Sequence, residues 1–304
     1  MLAVSGLHVG VVFLFCNSLL SLFLGGNLLR RRIVRTILVL LCLWTYVWLT
    51  QFSPSVGRAA VMFSFLQGGY LLRRPFYAYA SVFSSAFIML VANPGYLFNV
   101  GFQLSYVAVL SILYFHPRIY GLFSFGSLPL PQAVPSFLKV VFPKFIDKAW
   151  SLTAVSIAAQ IGTAPLVLYY FHQFSFVFWL SGLVVVPLSA LIIFLTLAYL
   201  AVNFVPMLSS LVFSALVAVA QFMNWAVSAI SSLPGAYVNG VDFRFPELVM
   251  ALSAVVLMAF YLSFKRYAHL FASVACVLTL VGISVGRCVL CWGSGGLVVA
   301  NVPN

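Results

Sequence analysis

The chain has 304 residues, of which 64% are hydrophobic, 16% aromatic and only 6% charged, with a net charge of +12. A soluble globular domain carries about 25% charged residues and needs polar side chains to cover its surface. Three acids (Asp147, Asp242 and Glu247) cannot cover a soluble domain of this size, so the composition excludes that class and implies an integral membrane protein.

Apolar runs of about 17–25 residues are long enough to cross the hydrocarbon core of a bilayer. In chain order they are 2–24, 33–51, 58–72, 75–92, 97–115, 149–171, 175–203, 208–231, 247–264 and 269–287, with the third the shortest. The runs are continuously apolar and lack the alternation of a barrel strand, so they predict helices. Their interiors hold no Asp, Glu, Lys or Arg, each of which would cost about 3 kcal/mol at the centre of a helix. The predicted fold is an all-α membrane protein. It is a polytopic bundle of about ten transmembrane helices, with candidate broken helices and one interfacial amphipathic segment.

That segment lies in the longest connection, 116–148, which opens with His116-Pro117-Arg118 and contains Pro129, Pro131 and Pro135. From Phe137 to Trp150, Lys139, Lys144 and Lys148 alternate with Val140, Val141, Phe142, Phe145 and Ile146. A helix lying in the membrane interface has this pattern, and so does an ordinary basic loop. Pro143 would divide it into two short pieces.

Basic residues set an orientation. Twelve of the 15 lie after the first, third, fifth and ninth runs, including Arg30, Arg31, Arg32, Arg35, Arg73, Arg74, Arg118, Lys265 and Arg266. Arg58, Arg244 and Arg287 lie on the other side. The positive-inside rule puts the twelve in the cytoplasm and both ends outside. The near absence of acids also fits a basic path for a polyanion, and anionic lipid would attract the same residues. Met1 enters an apolar run with no charged flank, unlike a signal peptide. This predicts that more chain normally precedes it. The division expected is a transmembrane domain at 1–290 and the start of a truncated extracytoplasmic region at 291–304.

Enzyme signatures are missing. There is no G-x-x-x-x-G-K-[ST] phosphate loop, no His, Asp and Glu set at metal-ligand spacing, and no acid cluster for two-metal chemistry. Cys16, Cys42 and Cys276 lie in apolar segments as small hydrophobes. Cys288 and Cys291 form a lone C-x-x-C with no second pair. The chain is therefore read as a non-enzyme that needs no cofactor.

The helix interiors do hold neutral polar groups: Ser5 and His8, Asn17, Gln67, Gln103 and Ser105, Gln160 and Thr163, Gln221 and Asn224. Such groups avoid lipid and either bond between helices or line a cavity. Proline and glycine interrupt four places near them: Ser53-Pro54-Ser55 before Arg58, Asn93-Pro94, 160–165, and Pro187. Broken helices at membrane depth line cavities in many carriers, although for Pro187 a packing kink explains the residue.

The stretches SGLHVG at 5–10, SPSVGRA at 53–59, NPGYLFNVGFQLSYVAVL at 93–110 and QIGTAPLVLYYFHQFS at 160–175 follow one another in this order, with weaker echoes in VVVPL at 184–188 and LPGA at 233–236. Together they resemble the competence domain of the ComEC family, inner-membrane proteins of DNA uptake in natural transformation. Asn-Pro followed by GFQLS is the most specific element. Gly182 departs from the pattern, where an Asn would be expected. The resemblance implies a channel module for single-stranded DNA in the bacterial inner membrane. It also implies partners: a cytosolic motor and periplasmic DNA-binding competence proteins. Ser5, His8, Arg58, Asn93, Gln103, Ser105 and Gln160 are the candidate path residues, with Arg58 positioning phosphate or anchoring at the interface. A small-molecule or lipid carrier, and an enzyme acting on a lipid-linked substrate, are the competing readings.

Overall fold

The computed structural model describes residues 6–23, 29–51, 53–71, 77–123, 136–233, 235, 237–241 and 243–293. Within them are ten α-helices. They are α1 (Gly6–Phe23), α2 (Leu29–Leu49), α3 (Pro54–Leu71), α4 (Ala78–Ala92), α5 (Val100–Tyr120), α6 (Ser136–Phe171), α7 (Phe178–Val202), α8 (Pro206–Ser231), α9 (Phe245–Phe264) and α10 (Tyr267–Gly293). A 3-10 turn at Pro94–Phe98 joins α4 to α5, and two short strands, β1 (Gln173–Ser175) and β2 (Tyr237–Asn239), pair. The protein is an all-α membrane protein. Segments of six helices are long and apolar enough to cross a membrane: Arg30–Leu49, Val100–Tyr120, Pro143–Phe171, Phe178–Val202, Pro206–Ser231 and Phe245–Phe264. His8–Ser21, Ala78–Ala92 and Tyr267–Ile283 are apolar but shorter.

The chain divides into two compact units, one of Met1–Thr163 with Phe174–Val238 and one of Ala164–Gln173 with Asn239–Asn304. In the first unit α3 is central and contacts α1, α2, α4 and α5. It is also absent from the segments long and apolar enough to cross a membrane. Lipid is as apolar as leucine, so a helix carrying Arg58 and Gln67 gains by leaving the lipid face for the bundle. Val56, Arg58, Ala59, Ala60, Val61 and Gln67 of α3 are buried.

Two cores hold α3. On one side Val9 and Phe13 of α1 and Val39, Leu43 and Val47 of α2 pack on Val56, Ala59 and Ala60. The α2 residues recur every fourth position, which puts them on one helical face. On the other side Val82 and Met89 of α4 meet Phe102 and Tyr106 of α5. Phe83 and Phe87 of α4 and Trp44 and Trp48 of α2 are exposed, as a lipid-facing surface requires. The pair α7 and α8 joins through α1, where Phe15 meets Phe194 edge to face at 5.5 Å.

In the second unit α9 and α10 form a hairpin turned by Lys265 in the left-handed region (φ 51°). The buried Ser273 hydroxyl donates to the Ala254 carbonyl at 3.0 Å across it. Glu247 is buried at the start of α9, where its carboxylate accepts from the Arg244 N–H at 2.9 Å. An acid there also complements the helix dipole.

Three expectations are corrected. Helix α2 begins at Leu29 instead of 33, so Arg30, Arg31, Arg32 and Arg35 sit on its first turns rather than in a loop. Residues 137–150 are not a separate interfacial piece, and Pro143 does not divide them, because α6 runs unbroken from Ser136. This stretch is anchored to α5: the Tyr120 hydroxyl donates to Asp147 at 2.8 and 2.9 Å, and the Trp150 indole N–H donates to the Tyr120 carbonyl at 3.2 Å. Finally, α6 continues through 160–165 and α7 through Pro187, so neither helix is broken there. Each proline removes one backbone hydrogen bond, a loss helices in membranes tolerate. Tyr120→Phe strips Asp147 of its hydroxyl donor at the α5–α6 joint. It should lower the thermal midpoint of the detergent-solubilised protein by an amount equivalent to about 1–3 kcal/mol.

Candidate functional site

The arginine of SPSVGRA organises the centre of the first unit. Pro54 opens α3, where a missing N–H does no harm, and Arg58 follows one turn later. Its side chain is only 6% exposed. No carboxylate neutralises it among the described residues: Asp147 is held by Tyr120 and Glu247 by the Arg244 N–H. The guanidinium carbon lies 5.6 Å from the centre of the Tyr106 ring. Nη1 lies 3.7 Å from the Met62 sulfur, and the buried Nε has no hydrogen-bond partner among the described residues.

Desolvating a lone guanidinium costs several kcal/mol. A desolvated cation–π contact returns about 2 kcal/mol, so the arrangement is only partly compensated. Tyr106 is itself positioned. Its hydroxyl lies 3.1 Å from the Ser85 hydroxyl and 3.6 Å from the Met89 sulfur, so α4 fixes the α5 ring beneath the α3 cation.

Glycine provides the room. A Cβ at Gly6 would lie 3.0 Å from Arg58 Nη2, whereas one at Gly57 would make only ordinary van der Waals contact with Met89, at 3.6 Å. Three of the sequence stretches therefore converge here: SGLHVG through Gly6, SPSVGRA through Gly57 and Arg58, and the 93–110 stretch through Tyr106.

The other candidates divide. Asn93 is exposed and caps the 3-10 turn by accepting from the Gly95 N–H at 2.9 Å. Gln103 donates from Nε2 to the Leu97 carbonyl at 2.8 Å, which ties that turn to α5. Asn99 caps α5 by accepting from the Phe102 N–H at 3.2 Å. This turn fixes where α5 starts and so where Tyr106 stands. His8, Ser105 and Gln160 are half-buried, and Ser5 lies outside the described residues. Gln67 is buried and faces Thr36 at 3.5 Å, while Asn17 accepts from Arg35; both bond between helices. Gln221 and Asn224 are exposed on α8.

Residues 1–265 match the competence protein family. The chain belongs to this family. It is also 31% identical over 187 residues to ComE operon protein 3 of Bacillus subtilis (strain 168), a match covering 62% of this chain and 20% of that protein. The chain thus spans about a fifth of the length of that curated relative. No solved structure matches it significantly.

Sequence reasoning on this competence-family chain missed Tyr106 and Gly6 as neighbours of Arg58, and Ser85 and Met89 as partners of Tyr106. Tyr106 does stand directly after the GFQLS element, and a tyrosine one turn beyond a helix-opening glutamine was the available signal. Two glycines also gained a role. A Cβ at Gly162 of α6 would lie 2.5 Å from Ser111 Oγ and 2.7 Å from Ser111 Cβ on α5. At Gly182 of α7 the space is filled by the Ser156 hydroxyl of α6. A larger residue at 182, such as the Asn expected from the resemblance, would meet the Ser156 side chain there.

Asn99→Ala should cost about 1 kcal/mol, the worth of one N-cap. It should also loosen Tyr106, seen as increased quenching of tyrosine fluorescence in a variant whose other tyrosines near the site are replaced.

Proposed function

We propose that this chain is the membrane passage for single-stranded DNA during natural transformation, set in the bacterial inner membrane. The observation that carries the reading is Arg58: a buried cation with no acid to neutralise it among the described residues, at the meeting point of three stretches that resemble the family. A phosphate is the group such a site lacks, and an arginine fork suits phosphate oxygens. Membership of the competence protein family and the name of the Bacillus subtilis relative support DNA as the polyanion. A bundle with three acids in 304 residues would not repel it.

Each phosphate charge entering a negative-inside cell climbs about 2.3 kcal/mol per 100 mV. The chain has no phosphate loop, so a cytosolic motor supplies this work, and a periplasmic DNA-binding protein delivers the strand. All ten helices span in this reading, with the twelve basic residues on the cytoplasmic face and both ends outside.

The test places a photoreactive amino acid at Met62, beside Arg58, or at the lipid-facing Leu41, in the full-length gene of a transformable host. Labelled DNA caught during uptake should crosslink at 62 and not at 41. Uptake that proceeds with no crosslink at 62, or with equal crosslinking at both, would replace the passage with a small-molecule or lipid carrier.

A further inference from the structure

Two cysteines meet inside the first unit. Cys16 of α1 and Cys42 of α2 stand 26 positions apart in sequence, and their side chains hydrogen-bond to each other. Both are free thiols. Cys16 lies between Phe13 and Leu20, on the face of α1 that packs against Val39, Leu43 and Val47 of α2. Cys42 stands at the edge of that α2 face, next to Leu43. It is exposed, whereas Cys16 is half-buried. The neighbouring Asn17 accepts from Arg35 of α2 at 2.9 Å, which pins the two helices beside the pair.

A thiol is a weak donor and a weak acceptor, so this contact by itself adds little to the bundle. What two adjacent thiols offer is a covalent bond. A disulfide requires Cβ vectors that converge, and side chains as short as cysteine touch only when they point toward each other. The surroundings select the oxidant. Cys42 is about 10 Å from the Leu49 end of α2 and about 20 Å from its Leu29 end, at 1.5 Å per residue. That depth lies within the hydrocarbon core. A lipid-soluble oxidant reaches an exposed thiol there, and a water-soluble one does not.

We propose that Cys16 and Cys42 form a reversible disulfide that ties α1 to α2, with a lipid-soluble quinone as the oxidant. The two S–H bonds break, one S–S bond forms, and the quinone takes up both protons and both electrons to become a quinol. A dithiol, itself oxidised to a disulfide, restores the two thiols. Helix α1 carries Gly6 beside Arg58 and stacks Phe13 on Phe63 of α3 at 4.6 Å. The tether therefore also fixes the helix against which Arg58 is packed. The inference stands whether or not DNA passes through the bundle.

The test uses the whole chain in lipid vesicles, with Cys288→Ser and Cys291→Ser to remove the C-x-x-C. The protein is reduced and then treated with a fully substituted quinone, which oxidises thiols without being alkylated by them. Remaining thiols are blocked with a maleimide in sodium dodecyl sulfate, and the peptides are read by mass spectrometry. The expected product is a peptide pair joined through Cys16 and Cys42 and separated again by dithiothreitol, with Cys276 left to react with the maleimide. Oxidised glutathione, confined to water, should give about tenfold less, because the pair lies within the hydrocarbon core. Closing the loop restricts the unfolded chain, so oxidation should raise the thermal midpoint by several degrees. Cys16→Ser should abolish that rise. Maleimide labelling of Cys16 and Cys42 undiminished by the quinone would overturn the proposal and leave the pair as packing. Equal crosslinking by oxidised glutathione would overturn the quinone as oxidant. A joined pair that includes Cys276 in place of either cysteine would overturn the assigned partners.

Discussion

Arg58→Met is expected to reduce labelled-DNA uptake by about a hundredfold while leaving the protein at least as stable as the wild type. The loss follows from removing a charged contact made in a desolvated site, worth about 2–5 kcal/mol. The stability follows from the opposite term. An unneutralised buried guanidinium opposes folding, and an apolar chain of similar volume removes that penalty. Methionine would pack against Met62 and the Tyr106 ring, which already flank the guanidinium. Arg58→Lys keeps the charge but loses the planar stack on Tyr106 and the fork, so uptake should be intermediate. Uptake is measured in a transformable host carrying the full-length gene, and thermal midpoints on the detergent-solubilised protein. A less stable Arg58→Met protein, with uptake falling only in step with its abundance, would make Arg58 structural. Normal uptake by a stable variant would remove it from the path altogether.

Adding one methyl group at Gly162 is expected to destabilise the bundle by about 1–3 kcal/mol, the usual range for overpacking. The new Cβ would meet both Oγ and Cβ of Ser111, so rotating the hydroxyl cannot relieve the clash. Either α6 must move from α5 or α5 must bend. The Ser111 hydroxyl is buried without a partner among the described residues, so Ser111→Gly alone should change stability little apart from the helix propensity of glycine. Combined with Gly162→Ala it should recover most of the loss. The coupling between the two sites is the readout, about 1 kcal/mol or more for residues in direct contact. The same logic applies one helix further on. Gly182→Asn should be poorly tolerated unless Ser156→Gly accompanies it, because the Ser156 hydroxyl fills the space beside Gly182. Additive effects at either pair would mean that the helices do not approach as closely as described.

Much of this protein was legible before its structure. Apolar length and the scarcity of charge identified a membrane protein and located its helical segments, because crossing a bilayer constrains each segment separately. The break between α4 and α5 was also visible, as Asn93-Pro94, since proline constrains the residues immediately around it. Boundaries shifted where long basic side chains could stay on a helix, as at Arg30 to Arg35 of α2. Such side chains reach the interface from helical positions. Burial was not legible. In a soluble helix the apolar stripe marks the inside, but α7 is apolar on every face and none of its residues is buried. Lipid and protein interior are equally apolar, so hydrophobicity carries no record of which face meets which neighbour. Only the tertiary structure decided that the shortest of the runs, the one that forms α3, is central to its unit. It alone brought Tyr106 beneath Arg58, Gly6 beside it, and Ser111 and Ser156 against two glycines. Those contacts join residues tens of positions apart, and no local pattern encodes them.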